Sequence, residues 1–140
     1  MTMRTTVRFL SVQDVILIHA DTIEHEGGLA GIRDHGLLES AVMMSRQQFD
    51  QAYLHRTLAE QAAAYLFHIC RNHPFNDGNK RTAVMAALVF LNVNSVDSLP
   101  KSGALEKLTM ACAASKIDKS EVTAFFREHM RKAKRRTKRG

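Results

Sequence analysis

The sequence predicts an all-α, single-domain bundle of about six helices with one short flap hairpin. Three observations lead there. The chain has 140 residues, enough for one domain with a real hydrophobic core. Apolar residues recur at three- and four-residue spacing along most of its length. Gly and Pro number only 7 and 2, which leaves little material for long ordered loops.

The elements follow in order. Residues 1–10 carry Val7, Phe9 and Leu10 in a polar background and predict an extended arm or short strand. Ser11-Val12-Gln13-Asp14 has the form of a helix start, a hydroxyl cap followed by an acid in the first turn. Val12, Val15, Ile16, His19 and Ile23 then share a helical stripe, which Gly27-Gly28 ends. A loop runs from Gly28 to Asp34, and Asp34 can cap the next helix, which carries Leu37, Leu38, Ala41 and Val42. Residues Gln47 to His55 mix polar and aromatic types and predict an extended flap or tight hairpin. Thr57-Leu58-Ala59-Glu60 matches a capping box and opens a strong helix through Ile69 and Cys70. Thr82 to Val93 is nearly all apolar, the mark of a buried central helix. A connector at 92–100 leads to a helix over 102–115, with Leu105, Leu108 and Cys112 on one side. Ser120 is the predicted cap of a last helix, whose Val122, Phe125 and Phe126 face inward.

The net charge of +6 is uneven. Seven basic residues and no acid lie among residues 131–140, so the rest of the chain is close to neutral. A basic run can hold a polyanion. No aromatic residue is interleaved to stack on bases, so nucleic acid is not the expected partner and a solvated tail is. Cys70 and Cys112 sit in apolar helical patterns and predict small core residues, as a reducing compartment allows. The apolar run Val15–Ile18 is too short for a secretory leader, and no stretch is long enough to span a bilayer. The expected location is the cytoplasm.

One stretch stands apart: His73-Pro74-Phe75-Asn76-Asp77-Gly78-Asn79-Lys80-Arg81-Thr82. It lies between two predicted helices. Gly78 precedes the buried helix, so Asn79, Lys80 and Arg81 fall in its first turn. Unpaired amides and the positive end of the helix dipole make that turn an anion site, and Lys80 and Arg81 add charge suited to phosphate oxygens. Asp77 beside them can cap, neutralise Arg81, or hold Mg²⁺ together with substrate phosphates. A histidine's ordinary pKa lies near physiological pH, which makes His73 the natural base for a substrate hydroxyl. Taken singly, a His before a loop, an acid at a helix start and two exposed cations are usually structural. Gathered on one turn, they point to nucleotide chemistry. The other histidines have no metal-ligand spacing and are assigned structural or surface roles.

The stretch resembles the signature of the Fic/Doc family, His-x-Phe-x-(Asp/Glu)-(Gly/Ala)-Asn-(Gly/Lys)-Arg. Residues 27–41, from Gly27 to Ala41, are similar to the early segment of the Doc (death-on-curing) branch, and the resemblance extends over roughly residues 8–127. It implies the all-α Fic fold; residues 1–130 are expected to form the domain, and residues 131–140, outside the resemblance, a basic, disordered tail. It implies ATP or another nucleoside triphosphate and Mg²⁺ as cofactors. By position, His73 is the general base and Asp77 the metal ligand. Gly78, Asn79, Lys80 and Arg81 hold phosphates, with Lys80 and Arg81 also assisting transfer. The flap at 47–55 would align the target segment by strand pairing.

Two departures from the longer Fic signature set the expected reaction. Lys80 stands where adenylylating members usually have Gly, and Val84 where a second Arg falls; both are similar to Doc toxins. In Doc the γ-phosphate goes to a threonine of elongation factor Tu and stops translation. Gly78, where some Doc proteins have Ala, fits the Fic side. The expectation is therefore a Doc-like toxin that phosphorylates a Ser or Thr hydroxyl of a target protein and is paired with a small antitoxin. Adenylyl transfer is the first alternative. The second is an inactive module binding nucleic acid through the tail, which the intact His73, Asp77 and Arg81 argue against. Thr22 to Gly27 fits in letters the inhibitory pattern (Ser/Thr)-x-x-x-Glu-(Gly/Asn) of other Fic proteins. So short a match is expected to be chance; if real, Glu26 would pair with Arg81.

Overall fold

A computed structural model describes residues 6–139, with side chains through residue 133. It contains six helices: α1 (Val12–Glu26), α2 (His35–Met43), α3 (Leu58–Asn72), α4 (Asn79–Val93), α5 (Ser102–Ala113) and α6 (Lys119–Arg139). Between α2 and α3, strands β1 (Gln48–Phe49) and β2 (Ala52–Tyr53) pair antiparallel. This is the all-α bundle with a short hairpin that the periodicity predicts.

Local sequence explains the boundaries. Ser11 and Asp14 form a reciprocal capping box at the start of α1. Asp34 caps α2 through the Leu37 amide, and Thr57 caps α3 through the Glu60 amide. At α6 the cap is Asp118, whose Oδ1 accepts from the Glu121 amide at 3.1 Å. The predicted cap, Ser120, instead donates its hydroxyl to Asp118. An ionised carboxylate outcompetes a hydroxyl for amides at the positive end of a helix. The hairpin turn places both Asp50 (φ 52°) and Gln51 (φ 65°) in the left-handed region, as a two-residue type I′ turn requires.

α3 and α4 form the centre. α6, α2 and α5 pack on α3, while α1 and α5 pack on α4. Tyr65, Phe75, Phe90 and Phe126 are fully buried in the core. Cys70 and Cys112 are free and buried, as expected. The expected domain end at residue 130 falls inside α6, which runs to Arg139 where the sequence predicts a disordered tail. Lys, Arg and Ala are good helix formers, and neither Gly nor Pro interrupts the run before Gly140. Among the described residues no helix is long and apolar enough to cross a membrane.

Candidate active site

The turn between α3 and α4 carries the residues that the sequence singles out. His73 is the C-cap of α3 and lies in the left-handed region (φ 51°, ψ 53°), a conformation uncommon for residues with a Cβ but better tolerated by His than by most. Pro74 follows and cannot prolong the helix. Phe75 is fully buried and anchors the turn, as its apolar ring predicts. Gly78 (φ 77°) is the N-cap of α4. A Cβ there would come within 3.3 Å of Ile23 Cδ1, so glycine lets α1 close on the loop.

Asn79 ties the turn from within. Its Oδ1 accepts from the Phe75 amide at 2.9 Å, and its Nδ2 donates to the Phe75 carbonyl at 2.9 Å. Nδ2 also meets His73 Nδ1 at 3.2 Å. An amide nitrogen can only donate, so Nδ1 accepts and the neutral imidazole carries its proton on Nε2. The sequence predicts Asn79 as a phosphate ligand; the structure engages its buried side chain inside the loop.

The segment after α1 braces the turn from outside. The Arg33 guanidinium donates to the carbonyls of His73 at 2.8 Å and Asn72 at 3.0 Å. The Arg33 and Asp34 amides both donate to the Pro74 carbonyl. Asn76 donates through its backbone to Gly31 and through its side chain to Ala30. The Leu29 amide donates to Asp77 Oδ2 at 2.6 Å. From α1, His19 stacks on Phe75 with ring centroids 3.8 Å apart. Its Nε2 lies 2.8 Å from the Asp77 carbonyl oxygen.

These contacts shape a cleft of about 800 Å³ lined by His73, Asp77, Gly78, Lys80, Arg81 and Val84 among others. The first ladder bond of α4 runs from the Thr82 amide to the Gly78 carbonyl. The amides of Asn79, Lys80 and Arg81 precede it and lie at the positive end of the helix. Lys80 is exposed and has no carboxylate within ion-pair distance among the described residues. Arg81 is held between two acids, Glu26 Oε1 at 3.3 Å from Nε and Glu106 Oε1 at 3.0 Å from Nη1. The Thr22–Gly27 match, expected as chance, thus makes the contact with Arg81 that an inhibitory motif would make. Among the described residues no group of three or more His, Cys, Asp or Glu could hold a metal ion. One exposed carboxylate, Asp77, still suits Mg²⁺, which keeps several waters and takes its remaining oxygens from phosphates.

All six predicted site residues therefore meet on one turn. Sequence reasoning passed over three others, Arg33, Glu106 and His19, and set a fourth, Glu26, aside as a chance match. Arg33 and Glu106 carried no local signal, and Glu26 carried only a short letter match. His19 did carry one: it is a polar residue inside the apolar stripe of α1.

The chain is similar to known proteins over most of its length. A family model described as the Fic/DOC family matches residues 9–91. The chain is 38% identical over 122 residues to the protein kinase doc of Escherichia phage P1, covering 86% of this chain and 94% of that protein. It is 43% identical over 70 residues to the Toxin Doc of Mycolicibacterium smegmatis, covering 50% of this chain and 54% of that toxin.

Proposed function

Because the chain belongs to the Fic/DOC family, we propose that it is a Doc-like toxin that transfers the γ-phosphate of ATP to a Ser or Thr hydroxyl of a target protein. Elongation factor Tu is the target that the family resemblance implies. The relative named Toxin Doc also supports a small antitoxin as partner, and the cytoplasm is the compartment where these meet. The observation that carries the reading is the cleft itself: a histidine, a carboxylate and two cations around the free amides of α4.

In this reading the triphosphate lies against the α4 amides, with Lys80 and Arg81 on its oxygens. Asp77 would hold Mg²⁺, which supplies charge neutralisation on the phosphates. The target hydroxyl attacks the γ-phosphorus, its oxygen bonds to phosphorus, and the bond to the bridging oxygen breaks to release ADP. His73 takes the hydroxyl proton on Nδ1, the ring nitrogen that carries none, and Asn79 yields its 3.2 Å contact to the incoming group. Val84 supports γ-transfer over adenylyl transfer. It is a buried apolar residue in the cleft wall where the longer Fic signature has a second Arg. The Glu26–Arg81 pair stands where a phosphate would lie, so we read it as a brake on the isolated protein.

The test is label transfer in a cell extract. γ-Labelled ATP should label one protein, and His73→Ala should abolish the signal. Label from α-labelled ATP alone would replace the kinase reading with adenylyl transfer.

A further inference from the structure

We propose that His19 is a positioning residue that sets the direction of the Asp77–Gly78 peptide and so aims the Gly78 amide at a phosphate. The inference rests on the reading of the cleft as a phosphate site.

The argument begins with the hydrogen bond. The Asp77 carbonyl can only accept, so the 2.8 Å contact fixes the proton of His19 on Nε2. The ring cannot slide away from it, since one face lies on Phe75, almost parallel at 4°. His19 is itself 5% exposed, so water does not compete for the bond. In a trans peptide the carbonyl and the following N–H point in opposite directions, and the chain has no cis bond among its described residues. With the Asp77 carbonyl held toward α1, the Gly78 N–H points away from α1. Gly78 lines the cleft, and its amide has no acceptor among the described residues.

Why this peptide needs a clamp follows from Gly78. Glycine populates positive and negative φ almost equally. A flip of the 77–78 peptide would therefore meet little resistance from the backbone, and it would turn a carbonyl oxygen toward a bound anion. The neighbouring turn residues are fixed by other means: Phe75 by burial and by Asn79, Asn76 by Gly31 and Ala30. Among the described residues, His19 is the donor to the Asp77 carbonyl.

Two substitutions separate the parts of the side chain. His19→Phe keeps a flat ring over Phe75 and removes the donor. His19→Gln restores a donor without the ring. With MgATP as probe, His19→Phe should weaken binding about tenfold, the scale of one well-placed hydrogen bond to a charged group. Adenosine binding and the melting temperature should stay close to wild type, and His19→Gln should recover most of the ATP affinity. In ¹⁵N spectra the Gly78 amide should shift on adding MgATP to the wild type and lose that response in His19→Phe. If His19→Phe binds MgATP as wild type does, with the Gly78 shift intact, the inference is overturned. If the wild type itself does not bind MgATP, the phosphate reading of the cleft has failed instead. Should His19→Phe not fold, the wild-type spectra decide: a Gly78 amide that ignores bound MgATP overturns the inference, and one that shifts while His19 keeps its Nε2–H tautomer supports it.

Discussion

Arg81 shows how little energy the proposed brake would hold. The guanidinium and the Glu26 carboxylate are each partly exposed, 34% and 47%. Pairs so placed contribute roughly 0.2–1 kcal/mol. Glu26→Gly should therefore raise phosphotransfer by the isolated protein roughly two- to fivefold, measured as initial rate with a fixed target, with the melting temperature nearly unchanged. An unchanged rate would return the Thr22–Gly27 match to coincidence. Individual residues were legible in the sequence where they are contiguous. His73, Asp77, Gly78, Asn79, Lys80 and Arg81 read as one group because one turn carries them all. His19 acts on a residue 58 positions away and Arg33 on one 40 positions away. Only the fold joins such pairs, since no local period connects them. The loop contacts of the Asn79 side chain also escaped the sequence: an amide at a helix start can serve a phosphate or its own loop equally well by type.

The helices were the most legible elements, because spacing and caps agree. Ser11, Asp34 and Thr57 each stand where a helix begins. The last helix was harder, since Asp118 and Ser120 both belong to the capping set and only geometry decides between them. The hairpin lacks the Asn-Gly or Asp-Gly pair that announces a type I′ turn, which is why its form was open between flap and hairpin. The N-terminal arm is tied to α3 by one side chain. The buried Tyr65 hydroxyl accepts from the Leu10 amide at 2.8 Å and donates to its carbonyl at 3.4 Å. Burial, against the smaller pull of that bond, pushes the phenol up to about 12, so it stays neutral and able to serve both groups. Tyr65→Phe leaves the Leu10 amide buried without its partner and should lower stability by about 1–3 kcal/mol. In urea the midpoint should fall at constant slope. A midpoint equal to wild type would mean that the arm is held by its apolar contacts alone.

At the scale of the whole molecule, pH should set stability through the packing of α6 on α3. Burial, then the Lys119 ammonium and His55, push the His68 imidazole down to about 4. Burial and Lys119 also lower His55, against a smaller opposing pull from Glu60. In the unfolded chain both return toward an ordinary value near 6.5. The unfolded state thus takes up protons first as pH falls. Stability is complete above about pH 6.5 and declines between there and about pH 4. The melting temperature followed across that window should drop steadily, and His68→Phe should flatten the slope. A variant with the wild-type slope would locate the acid sensitivity elsewhere. None of this was legible beforehand, because the closeness of His55, His68 and Lys119 is a product of packing.

Arg81 also bears on how a ligand would be felt mechanically. The guanidinium fastens the last turn of α1 to α5 through two carboxylates. A phosphate that takes the guanidinium for itself must undo both fastenings. Occupancy would then stiffen the floor of the cleft and soften its rim in the same event. Part of the gain from binding is given back as looser helix ends, so the net affinity, and the heat resistance that follows from it, would understate the strength of the ligand's direct contacts.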